Sequence, residues 1–420
     1  MNILALLPLI IIASGLFLLI KLRFFFIIHP IKTFSALKDS LKKKGAISAL
    51  CLSLAGTLGV GNIVGVAFGI SVGGAGSVFW LLISSVFSLV IKYSEASLSS
   101  DKKTARGGIT ELIEKSFKRG KISAKLYAAI ALLLSLAMGA ALQSRSAVEA
   151  IAKSDALLVP SLLFSGLVLF SVLGGGERIA KISTYVIPLA ALIYISLTLS
   201  VIILNFSRFP DVFRMIISDA FSFDSALGGA CGSAFIFKMR EGFSRGLLSN
   251  EAGAGTSAFA HARNDSSPVS VGLVGLCEVF FDTVVLCMLT AFAVLLAVPT
   301  PESFDSGLEI VKESLIRLGD FSSPLLSVSV FAFAFSTVIC WYYYGLCSLS
   351  YLTGGYKNLF TFLFIIAVFL GALTPLSPLI ALSDYLLLFL SIISLSAVIK
   401  NSDRLVYLSE NEGLLKKTDS

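Results

Sequence analysis

The chain has 420 residues, of which 56% are hydrophobic and only 14% are charged. Soluble domains carry about a quarter charged residues, so this composition excludes an ordinary soluble protein and indicates a bundle of membrane helices. Lys and Arg outnumber Asp and Glu by 33 to 26, which gives a net charge of +7. The basic residues gather in loops on one side of a membrane, and this explains the excess without a nucleic-acid partner.

Eleven apolar segments are long enough to cross the hydrocarbon core of a bilayer, which takes about 20 residues. Their approximate limits are 2–20, 46–72, 76–98, 126–150, 156–173, 183–205, 226–248, 270–298, 324–349, 357–373 and 378–398. The first segment lacks a basic region before it and a small-residue cleavage site, which favours an uncleaved helix over a signal peptide. We therefore predict an all-α polytopic membrane protein with about eleven transmembrane helices.

The connections between these segments differ in charge. Those at 21–45 and 99–125 are rich in Lys and Arg, and alternation through eleven helices puts most basic residues on their side. The positive-inside rule makes that side cytoplasmic. With no transit peptide in the sequence, we predict a multi-pass protein of a prokaryotic plasma membrane, its N-terminus outside and its C-terminus inside.

Three polar segments lie outside the predicted spans. The run Glu111–Lys118 is amphipathic and fits either a helix along the cytoplasmic surface or a solvated loop. Residues 302–318 show a similar pattern and predict a cap on the outer side. The segment from Lys400 to Ser420 is polar and mixed in charge, which predicts a poorly ordered tail.

The stretch from Leu52 to Trp80 is uncharged, apolar and rich in glycine. Glycine is a poor helix former, so we predict a helix break near Gly56–Gly61. In a bilayer an irregular backbone survives only inside protein or beside a polar cavity, so a break is typical of a binding site. Glycine spacing alone favours close helix packing through the repeated G-x-x-x-G pattern at 61, 65 and 69. Thr57 and Asn62 add polar groups at the break and favour a site.

Ten of the predicted spans divide into two sets of five, and a five-helix offset inverts the second set relative to the first. The chain then consists of an extra first helix with a basic loop (1–45), two five-helix repeats (46–205 and 206–398) and a cytoplasmic tail (399–420). Each repeat opens with a glycine-interrupted helix, the second at 226–248. Two interrupted helices at corresponding positions indicate a binding site near the membrane midplane.

Four motifs from about residue 45 to 355 resemble the alanine or glycine:cation symporter family in order and spacing. They are AGTLGVGNIVGVAFGISVGGAGSVFW, GGGERIAKISTYVIPLAALIY, RGLLSNEAGAGTSAFAHA, and EVFFDT with FAFSTVICWYYYG. The resemblance implies the fold of the amino acid–polyamine–cation superfamily, a leucine-transporter-like 5+5 inverted-repeat core with two discontinuous helices. It also implies sodium- or proton-coupled uptake of alanine or glycine.

An amino acid brings a carboxylate and an ammonium group to such a site. Backbone N–H groups freed at Gly56–Gly61 suit the carboxylate, and freed carbonyl groups in Gly228–Phe235 suit the ammonium group. The resemblance adds Gln143 and Trp341 as pocket walls, although Trp341 equally fits an ordinary buried aromatic residue. The predicted substrate-binding residues are Thr57, Gly59, Gly61, Asn62, Gln143, Gly229, Phe235 and Trp341.

Two adjacent hydroxyl groups, of Ser336 and Thr337, lie in an apolar run. Hard cations prefer several oxygen ligands, and these hydroxyls with the carbonyl groups of Gly56 and Leu58 would form a neutral set for Na⁺. Hydroxyls in membrane helices also bond commonly to their own backbone. The family resemblance favours Na⁺ as the coupling ion, with H⁺ as the alternative and no other cofactor.

Two acids inside a predicted span also need an explanation. Glu278 and Asp282 are one helical turn apart and share a face. They fit a proton relay, a pairing with Lys238 or Arg240, or a helix cap, and we favour a structural pair.

The sequence offers no recognisable pattern of metal-binding cysteine and histidine. His29 and His261 lie far apart in a turn and in the RGLLSNEAGAGTSAFAHA motif, where we interpret both as structural. The cysteines fall in apolar segments and are interpreted as small buried side chains: Cys51, Cys231, Cys277, Cys287, Cys340 and Cys347.

The chain departs from the family pattern near the predicted site. Val60 stands where members usually have threonine, and Ala140 and Ser144-Arg145 replace polar residues beside Gln143. Trp80 alone remains of a tryptophan-rich run. The resemblance therefore leaves the amino acid and its stereochemistry open.

Taken together, these features predict a secondary symporter that moves a small neutral amino acid, alanine or glycine, inward with Na⁺ across the lipid bilayer. A proton-coupled transporter of another small solute is the alternative. A membrane enzyme would need a catalytic motif, and a channel would need charged rings or a filter repeat. The sequence contains neither.

Overall fold

The computed structural model of the protein describes residues 3–43, 45–101, 108–152, 156–222, 230–261, 266–304 and 306–416, with the backbone alone for 230–234. Every regular element in these ranges is a helix, which confirms the all-α prediction. The longer helices are α1 (Leu7–Lys21), α2 (Pro30–Leu41), α3 (Ala46–Thr57), α4 (Val64–Gly73), α5 (Gly76–Ser100), α6 (Ile109–Ser116), α7 (Gly120–Ile151), α8 (Leu158–Val172), α9 (Gly175–Leu204), α10 (Phe209–Ala220), α11 (Ala230–Asn250), α12 (Pro268–Ala297), α13 (Gly307–Leu315), α14 (Ser322–Thr353), α15 (Lys357–Leu373), α16 (Leu376–Lys400) and α17 (Ser402–Asn411).

Shorter helical turns complete the chain, and two long helices are irregular. Single α-turns lie at Phe25–Ile28 and Ala258–His261, and 3-10 turns lie at Ile3–Leu6, Val60–Asn62, Phe206–Arg208, Pro301–Ser303 and Ile316–Leu318. α7 and α12 each contain a π-helical stretch, at Ser135–Leu142 and Phe280–Cys287. Such stretches inside α-helices are frequent at functional sites.

The apolar helices confirm a multi-pass membrane protein. Among the described residues seven helices are long and apolar enough to cross a membrane, or eight if α3 and α4 form one bent span. α8 and α15 are apolar but shorter. α11 contains several charged residues and is not among the helices that are apolar enough to cross a membrane. The count of eleven spans stays a prediction.

The first glycine-rich stretch folds as a broken helix. α3 ends at Thr57, and the axis of Val60–Gly73 is bent by 64° from that of α3. Leu58 and Gly59 lie between them with non-helical backbone. The break therefore lies inside the predicted interval Gly56–Gly61.

The second glycine-interrupted helix differs from the expectation. α11 is continuous from Ala230 to Asn250, and residues 223–229 lie outside the described ranges. Gly242 and Gly246 serve close packing on α5, because an added Cβ would lie 2.4 Å from the Ser77 carbonyl oxygen and 2.3 Å from Ser84 Oγ. The chain leaves the helix only after Asn250, where Glu251 has a φ of +54°.

The segments predicted to be polar and peripheral pack on the bundle. Within Glu111–Lys118 the helix α6 buries Leu112 and Ile113. This run is therefore an amphipathic helix with one buried face and not a solvated loop. In the predicted cap, α13 buries Leu308 and Ile310 and packs against α4 and α12.

The prediction of a poorly ordered tail is wrong for residues 402–411. They form α17, which buries Leu405 and Leu408. Two ion pairs tie this end of the chain to its beginning: Lys21 Nζ to Asp403 Oδ1 and Arg23 Nη2 to Glu410 Oε1, both at 2.6 Å. The amphipathic pattern of α17 was the available signal, because its apolar residues recur at helical spacing.

Candidate functional site

Three side chains from distant helices hold the backbone at the helix break. Trp341 Nε1 donates a hydrogen bond to the Gly56 carbonyl oxygen at 3.1 Å, and Thr337 Oγ1 donates to that of Leu58 at 3.2 Å. Gln143 Oε1 accepts a bond of 3.0 Å from the Val60 amide. A broken helix leaves such groups without intrahelical partners. Here α14 and α7 supply them.

Glycine is required where these side chains approach the backbone. A Cβ added at Gly59 would lie 2.7 Å from Gln143 Oε1, and one at Gly56 would lie 2.7 Å from the Tyr344 hydroxyl oxygen. At Gly139 an added Cβ would meet Trp341 Cβ at 2.3 Å. The glycines therefore allow the break, Gln143 and Trp341 to lie in contact.

Asn62 joins the break to a buried carboxylate. Its Nδ2 donates to Asp282 Oδ1 at 2.7 Å and to Ser249 Oγ at 2.9 Å. Ser249 Oγ in turn donates to Asp282 Oδ2 at 2.5 Å. Asn62 Oδ1 is buried and has no hydrogen-bond partner among the described residues. An unpaired buried acceptor is costly, so this oxygen is suited to receive a donor from a ligand.

A small apolar void adjoins this network. Thr290 Oγ1 donates to the Asn62 carbonyl oxygen at 2.9 Å and lies 2.6 Å from the Tyr194 hydroxyl. The void is lined by Leu58, Gly59, Asn62, Ile63, Tyr194, Leu286 and Phe333. In this structure the void has no room for a water molecule, so a substrate enters it only if these walls move apart.

The hydroxyl groups of the predicted cation site have two different arrangements. Ser336 Oγ donates back to its own helix, to the carbonyl oxygens of Ala332 and Phe333 at 2.9 Å. Thr337 Oγ1 also bonds to Phe333 but reaches Leu58 across the helix interface. Thr57 Oγ1 donates to the Ser53 carbonyl oxygen at 3.3 Å. Thr337 is thus the hydroxyl that contacts the break.

The remaining predicted residues lie elsewhere or outside the described ranges. Gly61 packs on α11, where an added Cβ would lie 3.1 Å from the Leu248 carbonyl oxygen. The ring of Phe235 packs edge-on against Trp80, with centroids 5.2 Å apart, and not against the break. Gly229 lies outside the described residues.

Sequence reasoning did not single out four of the residues that meet at this site. Ser249 lies in the RGLLSNEAGAGTSAFAHA motif and Tyr194 ends the GGGERIAKISTYVIPLAALIY motif, so both positions were signalled without a role. Thr290 and Cys287 lie on α12, within 3.5 Å of Asn62. Nothing in an apolar run distinguishes such residues before the helices are packed.

The partner of Glu278 is Lys92, not the predicted Lys238 or Arg240. Lys92 Nζ lies 2.9 Å from Glu278 Oε1, with both side chains fully buried, and donates to the Asn250 carbonyl oxygen at 2.7 Å. Lys238 pairs with Asp219 and Arg240 with Glu241. Glu278 is therefore part of a buried ion pair, whereas Asp282 bonds to Asn62.

Within the described part of the chain, no group of three or more His, Cys, Asp and Glu side chains is arranged to hold a metal ion. His261 Nε2 lies 3.6 Å from Glu278 Oε2, and His29 is exposed between Phe25–Ile28 and α2. Hydroxyl and carbonyl oxygens at the break are instead the kind of ligands that an alkali cation takes.

Comparison with known proteins agrees with a transport site. Residues 1–409 match the sodium:alanine symporter family. The chain is 29% identical to the amino-acid carrier protein AlsT of Bacillus subtilis, over 93% of this chain and 85% of AlsT. It is 30% identical to the sodium/alanine symporter AgcS of Methanococcus maripaludis, over 86% of this chain and 84% of AgcS.

A further relative is named for another amino acid. The chain is 32% identical to the probable sodium/glutamine symporter GlnT of Bacillus subtilis, over 76% of this chain and 69% of GlnT. These relatives are named as transporters and not as enzymes, in agreement with the sequence prediction. With the match over nearly its whole length, the chain belongs to the sodium:alanine symporter family.

Proposed function

We propose that the protein is a secondary active symporter that imports a small neutral amino acid, alanine or glycine, together with Na⁺. The observation that carries this proposal is the helix break at Leu58–Gly59, whose backbone groups are bonded by Gln143, Thr337 and Trp341. Discontinuous helices of this kind form the substrate and ion sites of many secondary transporters.

The amino acid would bind with both of its charged groups at the start of the segment that follows the break. Backbone N–H groups at Gly59–Gly61 would bind the carboxylate near the start of α4, where the helix dipole favours negative charge. In this structure the amides of Gly59 and Val60 donate to the Thr57 carbonyl oxygen and to Gln143 Oε1, so the carboxylate would replace these two acceptors. Asn62 Oδ1, which has no partner among the described residues, would accept from the ammonium group. Tyr194 and Phe333 would limit the side chain to a small one.

The coupling ion would bind where Thr337 Oγ1 reaches the Leu58 carbonyl oxygen. The carbonyl of Gly56 is a further ligand, and Ser336 would join after its hydroxyl rotates away from Ala332 and Phe333. An uncharged oxygen set of this kind suits Na⁺. Because the Leu58 carbonyl group directly precedes Gly59, ion binding there would be coupled to substrate binding at the N–H groups that follow the break.

Movement would follow alternating access around this site. We propose eleven spans, of which ten form two inverted five-helix repeats, in a prokaryotic plasma membrane with the N-terminus outside. The bent α3–α4 pair supports this arrangement because discontinuous helices typically open such repeats. Rocking of one helix group against the other would expose the break to each side in turn.

Uptake of radiolabelled alanine into proteoliposomes tests the proposal. We expect accumulation with an inward Na⁺ gradient, and none with an inward H⁺ gradient alone or with no gradient. Protein-free liposomes and a Na⁺ ionophore are the controls. Competition by unlabelled glycine, serine and glutamine then ranks the substrates, and the absence of Na⁺-driven uptake of all four would overturn the proposal.

Proton coupling is a second candidate because Asp282 is buried and bonds to Asn62 at the break. A carboxylate inside a membrane protein is often part of a proton path. Uptake driven by an H⁺ gradient alone, and lost in Asp282→Asn, would favour this candidate over Na⁺ coupling.

A further inference from the structure

A second, larger cavity lies far from the helix break. It has a volume of about 700 Å³ and opens between α2, the start of α12 and the end of the chain after α17. Cavities of this size are typical of sites for small molecules and cofactors. The proposed orientation puts it on the cytoplasmic side of the membrane, at the level where α1 leaves the bilayer.

The cavity has a surplus of positive charge. Its charged lining residues are Arg23, Lys32, Asp39, Lys43, Glu412 and Lys416. Both acids already have partners: Asp39 pairs with Lys42 at 2.9 Å, and Glu412 Oε1 accepts from the Val269 amide at 3.3 Å. The two carboxylates therefore do not neutralise all of the basic side chains that line the cavity.

The bases differ in how far they are neutralised. Arg23 pairs with Glu410. Among the described residues, Lys43 Nζ contacts two hydroxyl oxygens and no carboxylate, at 2.5 Å from Ser270 Oγ and 3.4 Å from Ser267 Oγ. Lys32 and Lys416 have no ion pair within the described ranges. Three ammonium groups without a carboxylate partner around one cavity favour an anionic ligand.

An exposed apolar surface adjoins the cavity. The lining residues of α2 include Lys32, Ala36 and Asp39, which share one helix face. Ile31 and Phe34 lie on a neighbouring face and are 84% and 68% exposed. Ile27 and Ile28, in the turn before α2, are also exposed. An amphipathic helix with a bare apolar face beside bases is typical of a segment that lies in the membrane interface.

We propose that this cavity binds the phosphate headgroup of an anionic phospholipid of the cytoplasmic leaflet. Lys32, Lys43 and Lys416 contact the phosphate, and the acyl chains run over Ile31 and Phe34 into the bilayer. A soluble anion would leave this apolar face uncovered, whereas a lipid occupies both the charged cavity and the apolar surface. Basic clusters beside membrane spans attract anionic lipids in this way.

The experiment measures thermal stability of the full-length protein in detergent during titration with lipid. Phosphatidylglycerol is the anionic probe, phosphatidylcholine the zwitterionic one, and glycerol 3-phosphate the soluble headgroup. We expect phosphatidylglycerol alone to raise the Tm and to saturate, because a ligand that binds the folded state stabilises it.

Matched variants separate this cavity from general surface charge. Lys32→Gln with Lys416→Gln removes two bases that have no ion pair, so folding is preserved and the apparent lipid affinity falls about tenfold or more. Lys118→Gln with Lys121→Gln removes the same charge from exposed positions just before α7 and in its first turn, and leaves the affinity within about twofold. Equal losses in the two variants would overturn the proposal. So would a shift by phosphatidylcholine equal to that by phosphatidylglycerol, or saturation by glycerol 3-phosphate.

Discussion

The indole nitrogen of Trp341 lies 3.1 Å from the Gly56 carbonyl oxygen, so a residue of α14 fixes the last turn of α3 before the helix break. The two residues are 285 positions apart in the chain. Thr337, one turn earlier on α14, bonds to the Leu58 carbonyl oxygen. Two consecutive turns of one helix therefore hold the end of another, and motion of α14 changes the geometry of the break.

Replacement of Trp341 by phenylalanine tests this contact. Trp341→Phe removes one hydrogen bond, worth about 0.5–1.5 kcal/mol, so we expect the KM for alanine uptake to rise about 2- to 10-fold. Trp80→Phe is the matched control, because Trp80 Nε1 has no hydrogen-bond partner among the described residues. An equal rise of the KM in both variants would show that loss of the larger ring, and not of the bond, is responsible.

A methyl group at Gly59 is expected to displace Gln143. The Gly59→Ala side chain would lie 2.7 Å from Gln143 Oε1, and we expect uptake to fall about tenfold or more, since overpacking costs about 1–3 kcal/mol. Gly65→Ala is the control, because its Cβ would meet Leu248 Cδ2 at an ordinary 3.5 Å. Normal uptake by Gly59→Ala would mean that Gln143 moves freely and does not form part of the site.

The pair Asn62 and Asp282 allows an exchange experiment. Asn62→Ala leaves Asp282 with one partner fewer, so we expect a loss of uptake and a decrease of about 1.5–3 kcal/mol in stability, with membrane insertion retained. Exchange of the two residues, Asn62→Asp with Asp282→Asn, restores the bond and should recover the Tm. Transport with normal affinity in Asn62→Ala would remove Asn62 from the substrate site.

The Lys92–Glu278 pair is expected to be structural. Glu278→Gln leaves a buried ammonium group without its counter-ion, and we expect a loss of about 3–5 kcal/mol in stability. The double replacement Lys92→Met with Glu278→Leu should recover much of this loss. The exposed pair Lys21–Asp403 is the control, and Lys21→Gln should change the free energy of unfolding by less than about 1 kcal/mol. A stable Glu278→Gln that has lost uptake would instead assign Glu278 to transport.

The proposed cation site predicts that the hydroxyl groups on α14 differ in their effect on the Na⁺ dependence of uptake. Thr337→Val keeps the shape but removes the bond to Leu58, so we expect the Na⁺ concentration for half-maximal uptake to rise about tenfold, since one lost oxygen ligand is worth about 1.5 kcal/mol. Ser329→Ala is the control, because Ser329 Oγ donates to the Leu325 carbonyl oxygen of its own helix and to no other group in the described part of the chain. An unchanged Na⁺ dependence in Thr337→Val would contradict the proposed ion site.

Local physics explains what could be predicted from the sequence. Glycine destabilises a helix wherever it occurs, so the interval 56–61 already contained the break at Leu58–Gly59. The same rule does not hold at Gly242 and Gly246 of α11, which face α5 closely enough to require glycine for packing, and Gly228 and Gly229 lie outside the described residues. Composition alone does not distinguish a glycine that breaks a helix from one that lets two helices touch.

Tertiary contacts could not be predicted from the sequence, because they join residues that are far apart in the chain. Lys92 lies in the apolar run FSLVIKYSEASL, and nothing in the sequence identifies it as the partner of Glu278, which lies 186 residues later. Gln143 and Trp341 came from the family resemblance and not from periodicity. Tyr194 and Thr290 could be recognised as part of the site only from the packed helices, because ordinary membrane helices contain many such residues.

The contacts between the two ends of the chain have a consequence for biogenesis. Arg23 and its partner Glu410 are 387 residues apart, and at about 5–20 residues per second the ribosome needs about 20–80 s to make the intervening chain. The first helix therefore enters the membrane long before α17 exists to hold its inner end. The two ion pairs therefore form only after the described bundle has been synthesised as far as α17, and a nascent chain halted before that point holds α1 by its packing on α5 alone or with later helices, without these ionic contacts.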